Sequence, residues 1–191
     1  ELKYTIHGDP ALPHPRLVLV HTLGLGEFVW DGVVDRLALR TPPRAVVLTY
    51  DCRGHGASTI AAAPYSIEQF GHDLEDLLNH VGWTSVHVAG ASMGGCVAQQ
   101  LAITRPELVR SLGLLDTTAW FGAGAPEAWE GRAKQAEENG MASLLDFQRA
   151  RWFSDEYQKQ EPAVVARTLD ALAKASVAGF AATCRMLGTV D

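Results

Sequence analysis

The sequence predicts an α/β fold organised around a mostly parallel, doubly wound sheet. Three short apolar runs, at positions 17–20, 45–48 and 86–89, alternate with stretches of helical spacing, as parallel strands joined by helices require. Their Val and Leu content is nearly continuous, which is typical of strands buried on both faces of a sheet. Beyond about residue 119 such runs stop, and the pattern becomes helical.

Two further strands and one well-marked helix complete the predicted core. Residues 2–6 form a short edge strand ahead of the first run, and residues 109–115 form a fourth parallel strand, buried like the others. Between the second and third runs, apolar residues recur at helical spacing from Ile67 to Val81, which predicts an amphipathic helix. Ser66 and Gln69 stand at its start in the pattern of a capping box.

The second part of the chain is predicted to be entirely helical. Helices are expected over 127–139, 141–153 and 162–176, separated by Gly140 and by the polar stretch 154–161. A helical block that follows the sheet indicates a lid rather than continued βα alternation. The predicted organisation is therefore a core over residues 1–118 and a helical lid over residues 119–191.

Composition excludes several classes of function. The net charge of −6 disfavours nucleic acid or an anionic membrane as partner, and no apolar stretch is long enough for a membrane span. Cys52, Cys96 and Cys184 are odd in number and widely spaced, so neither a disulfide framework nor a zinc site is indicated. With no signal peptide at the start, a reducing cytoplasm is the expected location.

The motif Gly90-Ala91-Ser92-Met93-Gly94 reads GxSxG and follows the third apolar run directly. A serine between a strand and a helix is lifted onto a sharp turn, where a base and amide donors can reach it. Flanking glycines allow the tight turn and the close approach of neighbouring chains. The placement therefore predicts Ser92 as a nucleophile, whereas the motif alone is compatible with simple packing.

Two backbone amides are predicted to bind the oxyanion that forms when Ser92 attacks a carbonyl. Met93 opens the next helix, whose free N–H groups favour negative charge. The second amide is assigned by position to Leu23, in the glycine-rich loop 21–26 after the first buried strand. A dinucleotide site is not indicated, because GxGxxG from Gly24 would need glycine where Val29 stands. No cofactor is expected.

The loop 51–58, with the sequence DCRGHGAS, follows the second buried strand. Its charged and hydroxyl groups can brace the loops around a pocket through hydrogen bonds. A structural role is favoured over a chemical one, because a whole helix and strand separate this loop from Ser92.

The longer phrases around these motifs resemble the α/β-hydrolase superfamily, and most closely its 3-oxoadipate enol-lactonases of aromatic catabolism. The likeness is carried by YDCRGHGAS, PYSIEQFGHDLEDLL and GASMGG, and it continues into the lid through RARWFSDEY and GFAATCRML. The resemblance implies the α/β-hydrolase fold and hydrolysis of a small ester or enol-lactone through an acyl-enzyme. The chain departs from that branch at His21 and Thr22.

A catalytic histidine and its acid are the parts that the sequence lacks. In this superfamily both follow the nucleophile along the chain, yet no histidine follows Ser92. The seven histidines present match no family base, and His72 and His80 are expected on the solvent side of their helix. Asp116, directly after the fourth strand, is a candidate acid because some α/β-hydrolases place their acid there; an acid outside these residues is favoured.

The expectation is therefore a core that is incomplete at its C-terminus and at its N-terminus, with a second polypeptide or a missing C-terminal segment supplying the histidine and acid. These residues alone are expected to be a poor catalyst. Alternatives are other α/β-hydrolase chemistry, such as an esterase, a C–C hydrolase or a perhydrolase, a ligand-binding protein without turnover, or a fragment without function of its own. Trp129, Trp152 and Phe153 in the lid are candidates for the pocket wall, although core packing explains them equally well.

Overall fold

The computed structural model describes residues 1–38 and 42–191, and its centre is a five-stranded mixed sheet. The strands are β1 (Tyr4–His7), β2 (Arg16–Val20), β3 (Val46–Tyr50), β4 (Val86–Ala91) and β5 (Val109–Leu115). Their order across the sheet is β1-β3-β2-β4-β5, with β1 antiparallel to β3 and every other pairing parallel. The predicted fold class is confirmed.

One strand differs from its prediction in its surroundings. The bounds of β5 match the predicted run, but β5 lies at the edge of the sheet and is not buried. Leu112, Leu114 and Leu115 are 37%, 47% and 45% exposed, because within the described part of the chain only β4 pairs with β5. A hydrophobic run predicts a strand, but it does not tell whether a neighbour covers that strand.

Helices cover both faces of the sheet, which is the doubly wound arrangement. Helix α1 (Asp31–Leu37) packs with Leu19 and Val47 on one face. Helices α2 (Ile67–His80) and α3 (Met93–Thr104) pack on the other face, where Val18 and Leu48 are fully buried. Adjacent residues of one strand thus point to opposite helical layers, and the central strands are buried on both sides.

Helix α2 begins as the sequence predicts. The Ser66 hydroxyl accepts the Gln69 N–H at 3.3 Å, and Gln69 Oε1 accepts the Ser66 N–H at 3.1 Å, which completes the capping box. His72 and His80 are exposed, as expected for the polar face of an amphipathic helix.

The region after β5 is helical, with more elements than the sequence predicts. It contains α4 (Ala125–Asn139), α5 (Leu145–Trp152), α6 (Asp155–Gln160), α7 (Pro162–Ala173) and α8 (Val177–Leu187). The segment 141–153, predicted as one helix, starts with a 3-10 turn at Met141–Leu144. The predicted divider 154–161 contains α6, because the Ser154 hydroxyl caps it by accepting the Tyr157 N–H.

The helical region shares its hydrophobic core with the sheet. Leu172 of α7 and Phe180 of α8 belong to the same cluster of buried side chains as Val18 and Leu48. At the start of α8, Gly179 packs directly against the backbone of Gly54. In the described residues, no helix has the length and apolar character that crossing a bilayer requires.

Candidate active site

Ser92 occupies the sharp turn between the end of β4 and the start of α3. Its backbone lies in the left-handed region, at φ 52° and ψ −117°, where strain of about 1–3 kcal/mol is usual for a residue with a Cβ. Neighbouring groups hold this conformation: the Ser92 N–H donates to the Leu115 carbonyl (2.9 Å), and the Thr117 hydroxyl donates to the Ser92 carbonyl (2.7 Å). The turn therefore presents a half-buried serine at the C-terminal edge of the sheet.

Three glycines permit this turn because there is no room for their side chains. A Cβ on Gly90 would overlap with the Gly94 carbonyl, and a Cβ on Gly94 would overlap with the Val20 carbonyl on the neighbouring strand. A Cβ on Gly95 would collide with the side chain of Thr117. The glycines flanking the serine are thus a packing requirement of the turn.

The two amides expected to bind an oxyanion belong to Met93 and Leu23. Met93 is the first residue of α3, so its N–H has no acceptor within the helix, and Leu23 lies in the turn after β2. No backbone acceptor for either N–H is recorded in the described part of the chain. Because Gly94 packs against the His21 carbonyl, the two turns are in contact. Free donors on neighbouring turns fit what a developing oxyanion needs.

The loop after β3 supports the turn after β2 through hydrogen bonds. Asp51 Oδ1 accepts the Glu27 N–H at 2.7 Å, and Asp51 Oδ2 accepts the Ala57 N–H at 2.9 Å. The Cys52 N–H donates to His21 Nε2 at 2.9 Å. The bracing role predicted for this loop is confirmed.

Two buried histidines lie within this network, and both are neutral. Their ring centroids are 5.2 Å apart, and burial lowers the pKa of His21 to about 4 and the pKa of His55 to about 3, because a buried imidazolium loses its hydration. His21 uses both ring nitrogens, since Nδ1 donates to the Thr22 carbonyl and Nε2 accepts the Cys52 N–H. His21 is therefore not free to take a proton from Ser92.

The other histidines are also occupied elsewhere or distant in the fold. His7 bonds to Thr49, His80 bonds to Tyr4 and His87 bonds to Ser111. No hydrogen bond between any histidine and the Ser92 hydroxyl is recorded among the described residues. In the described part of the chain, the geometry thus brings together a serine and two free amides, and no histidine is bonded to that serine.

Asp116 directly follows β5 and lies beside the serine turn. It shares with Ser92 a positive φ, here 44°, and its side chain is exposed. The residues on both sides of it, Leu115 and Thr117, make the two hydrogen bonds that hold the Ser92 backbone. Its position is compatible with an acid near the serine, at an open edge of the sheet.

The three aromatic candidates for the pocket wall are held mainly by one another and by neighbouring rings. Trp129 on α4 packs edge-on against Phe121, with ring centroids 5.3 Å apart. Trp152 and Phe153 meet at the end of α5, and Phe153 stacks on Tyr157. None of these aromatic contacts involves the serine turn, so packing accounts for their positions.

The sequence did not predict three of the residues that support the site. Thr117 holds the Ser92 carbonyl, and its place directly after the strand beside the motif is a signal that could have indicated it. From the helical region, Leu172 and Phe180 pack so closely on Gly24 that a Cβ there would lie 2.7 Å and 3.3 Å from them. No local sequence pattern encodes that contact.

In α/β hydrolases, a strained serine lies at the C-terminal end of a parallel strand. One free backbone N–H follows the serine, and a second comes from the loop after a neighbouring strand. Ser92, Met93 and Leu23 have this arrangement. The family model described as the alpha/beta hydrolase fold matches residues 15–179, and the chain belongs to this family.

Within that family the chain is similar to enol-lactonases along its whole length. It is 32% identical over 190 residues to 3-oxoadipate enol-lactonase 2 of Acinetobacter baylyi, covering 100% of the chain and 68% of that protein. It is 31% identical over 179 residues to 3-oxoadipate enol-lactonase 1 of the same organism, covering 93% of the chain and 64% of that protein. The crystal structure of an enol-lactonase from Burkholderia xenovorans aligns with a TM-score of 0.93 at 33% identity, over 100% of the chain and 71% of that structure. The chain thus spans about two thirds of the length of these relatives.

Proposed function

We propose that the protein hydrolyses a small carboxylic ester or an enol-lactone of the 3-oxoadipate type, with Ser92 as nucleophile. The observation that carries the proposal is the strained conformation of Ser92 beside two free amides. Backbone strain does not improve the packing of a serine side chain. For a nucleophile, however, the strained turn exposes the attacking oxygen and fixes its direction. The enol-lactonase relatives support this substrate class.

The reaction divides into two steps through an acyl-enzyme. Ser92 Oγ attacks the carbonyl carbon, a base takes the hydroxyl proton, and the Met93 and Leu23 N–H groups stabilise the oxyanion. Collapse breaks the ester C–O bond, and the protonated base returns its proton to the leaving oxygen. Water then attacks the acyl-enzyme, with its proton passing to the same base and on to Ser92 Oγ, which releases the acid product.

We assign the base to a histidine that residues 1–191 do not contain, supplied by a second polypeptide or by further chain. The assignment follows from the occupied nitrogens of His21 and from the place of the remaining histidines. Asp116 is retained as a candidate for the acid that would orient this histidine, because it adjoins the serine turn. Without that histidine, we expect residues 1–191 to hydrolyse the substrate slowly.

The lid supplies the candidates for substrate contact. Trp129, Trp152 and Phe153 are partly buried, so each presents ring area that a substrate could cover. We further propose a role in the catabolism of aromatic compounds and a cytoplasmic location, which the three buried free cysteines support.

The direct test measures hydrolysis of an activated ester and of the enol-lactone by the complete protein and by its Ser92→Ala variant. We expect loss of at least about 10³-fold in kcat for both substrates. Equal rates would remove Ser92 from the mechanism. Cleavage of C–C bonds or peroxyacid formation in a substrate panel would reassign the reaction within the family.

Two further measurements separate the remaining roles. Tight binding of the lactone with no acyl-enzyme by mass spectrometry would indicate a binding protein instead of an enzyme. Full activity of Asp116→Asn in the complete enzyme would exclude Asp116 as the acid.

A further inference from the structure

The N-terminal end of the sheet carries a cleft whose polar side chains are cationic or neutral. The cleft has a volume of about 490 Å³ and is lined by His14, Arg16, Ser85, His87 and Arg110, together with Leu12 and two prolines. Arg16 opens β2, Ser85 precedes β4, and Arg110 is the second residue of β5. His87 precedes Ser92 by five residues of strand and turn, so the cleft lies roughly 16 Å from the serine. It is therefore separate from the candidate active site.

The charge of this cleft is opposite to that of the whole chain. The chain carries a net charge of −6, yet its lining residues include two arginines, two histidines and no carboxylate. Neither Arg16 nor Arg110 has a salt bridge recorded in the described part of the chain, whereas other basic residues, such as Arg53 and Arg185, do. Two arginines that converge without a counter-ion attract an anion.

Arg16 is held in place with one donor unused. Its guanidinium lies 4.9 Å from the centroid of the Trp83 ring, and its Nη2 donates to the Pro10 carbonyl at 3.1 Å. Its Nη1 is buried, and no partner for it is recorded in the described residues. A buried cationic donor without an acceptor is costly, and an anion in the cleft would balance the charge of this guanidinium.

The remaining walls indicate what kind of anion fits. His87 Nδ1 lies 2.7 Å from the Ser111 hydroxyl, which fixes the imidazole ring beside the arginines. Leu12, Pro13 and Pro15 provide apolar lining in the same cleft. A volume of 490 Å³ is within the range of small-molecule sites, where apolar surface and a few fixed polar groups combine.

We propose that this cleft binds a small organic carboxylate, with the carboxylate on Arg16 and Arg110 and an apolar carbon skeleton against Leu12 and the prolines. The site is independent of the proposed hydrolysis at Ser92. An organic acid fits better than an inorganic anion, because the apolar lining offers nothing to a fully hydrated ion.

The test is a titration of the protein with benzoate, followed by calorimetry and by the NMR signals of the histidine side chains. We expect saturable binding, with the signals of His14 and His87 shifting along one curve. Arg110→Gln should weaken binding about tenfold, because it removes a charged hydrogen-bond donor. Arg110 is exposed, so its replacement leaves the fold intact.

Arg36→Gln is the matched control, because Arg36 is exposed on α1, lies outside the cleft and carries the same charge. Its affinity for benzoate should equal that of the unsubstituted protein. If both substitutions weakened benzoate binding equally, the effect would come from the net charge of the protein, and the proposed site would be wrong. Absence of saturable binding, unshifted His14 and His87 signals, or inorganic phosphate binding as tightly as benzoate would each contradict the proposal.

Discussion

The serine turn at the end of β4 has different surroundings on its two sides, towards β2 and towards β5. On the β2 side, Val18 and Val20 are fully buried, and the turn that follows is braced by Asp51 and His21. On the β5 side, the strand is exposed at the edge of the sheet, with Leu114 47% exposed. The turn is thus supported by a buried network on one side and by an open strand on the other.

The groups of the proposed mechanism lie on different sides of the serine turn. Of the two proposed oxyanion donors, the Leu23 amide belongs to the β2 side, where the loops are fixed by short hydrogen bonds to Asp51. The candidate acid, Asp116, belongs to the exposed side, where its chain neighbours Leu115 and Thr117 make hydrogen bonds to the Ser92 backbone. We infer that the base approaches Ser92 from the β5 side. On the β2 side, both ring nitrogens of His21 are occupied, and burial lowers the pKa of His55 to about 3, which makes His55 a weak base.

The largest effect is expected from filling the contact between the start of α3 and the end of β2 at Gly94. Gly94→Ala places a Cβ on the Val20 and His21 carbonyls, which should lower the free energy of unfolding by about 3 kcal/mol or more. Gly131→Ala is the control, because nothing lies within 4 Å of its Cβ and it is inside α4; a gain of about 0.5–1 kcal/mol is expected. Urea unfolding measures both. Equal stability of the two variants would show that the turn does not depend on this close approach.

A smaller loss is expected when the brace on the β2 side is weakened. Asp51→Asn retains one acceptor oxygen, but its NH₂ group then faces the N–H of Glu27 or Ala57, at a cost of about 1–3 kcal/mol. If the brace positions the Leu23 amide, kcat should fall more than KM changes. A stability loss with unchanged kcat in the complete enzyme would limit Asp51 to a structural role.

The β2 side should also respond to acid before the β5 side does. The pKa values of His21 and His55 are lowered by burial to about 4 and about 3, so the unfolded chain binds more protons as the pH falls below about 6.5. The free energy of unfolding should then fall by up to about 1.4 kcal/mol per pH unit for each histidine.

His55→Gln removes one of these groups and should reduce that slope between about pH 6 and pH 5, where unfolded carboxylates are still mostly ionised. Chemical denaturation at several pH values gives the slope. Amide hydrogen exchange compares the two sides directly. As the pH is lowered, residues 21–26 are expected to lose protection at a higher pH than residues 109–115. An identical slope in wild type and variant would contradict the burial of His55.

The smallest effect on stability is expected on the exposed side. Leu114→Lys changes a side chain that is already 47% exposed, so unfolding should shift by no more than about 0.5 kcal/mol. Self-association through the exposed edge strand β5 should decrease, since charged edge residues oppose strand pairing. Ile103→Lys on α3, at a position 75% exposed, is the control and should leave association unchanged in sedimentation. Equal reduction by both would indicate a general charge effect.

The parts that sequence predicts well are those fixed by local chemistry. The apolar runs indicate β2 to β5, the Ser66 and Gln69 pair indicates the start of α2, and GxSxG after a strand indicates the serine turn. Each depends on neighbours within a few residues, so the pattern and its cause lie in the same short segment.

The parts that sequence misses depend on distant contacts. The exposure of β5 depends on which strand lies beside it, and the packing of Phe180 on Gly24 joins positions far apart in the chain. Helix α6 is short and polar, so its residues carry no apolar periodicity, and its Ser154 cap is meaningful only in the folded chain. Likewise, only the structure shows that both nitrogens of His21 are occupied.

The central claim, that residues 1–191 carry a nucleophile and oxyanion donors without a base, can be tested by chemical rescue. Hydrolysis of p-nitrophenyl acetate by this chain is measured with increasing imidazole, beside Ser92→Ala and protein-free controls. If the claim is correct, imidazole should accelerate a reaction that depends on Ser92, with an acetyl group on Ser92 in the intact-mass spectrum. Equal stimulation of the chain and of Ser92→Ala, or rapid Ser92-dependent turnover without imidazole, would contradict it.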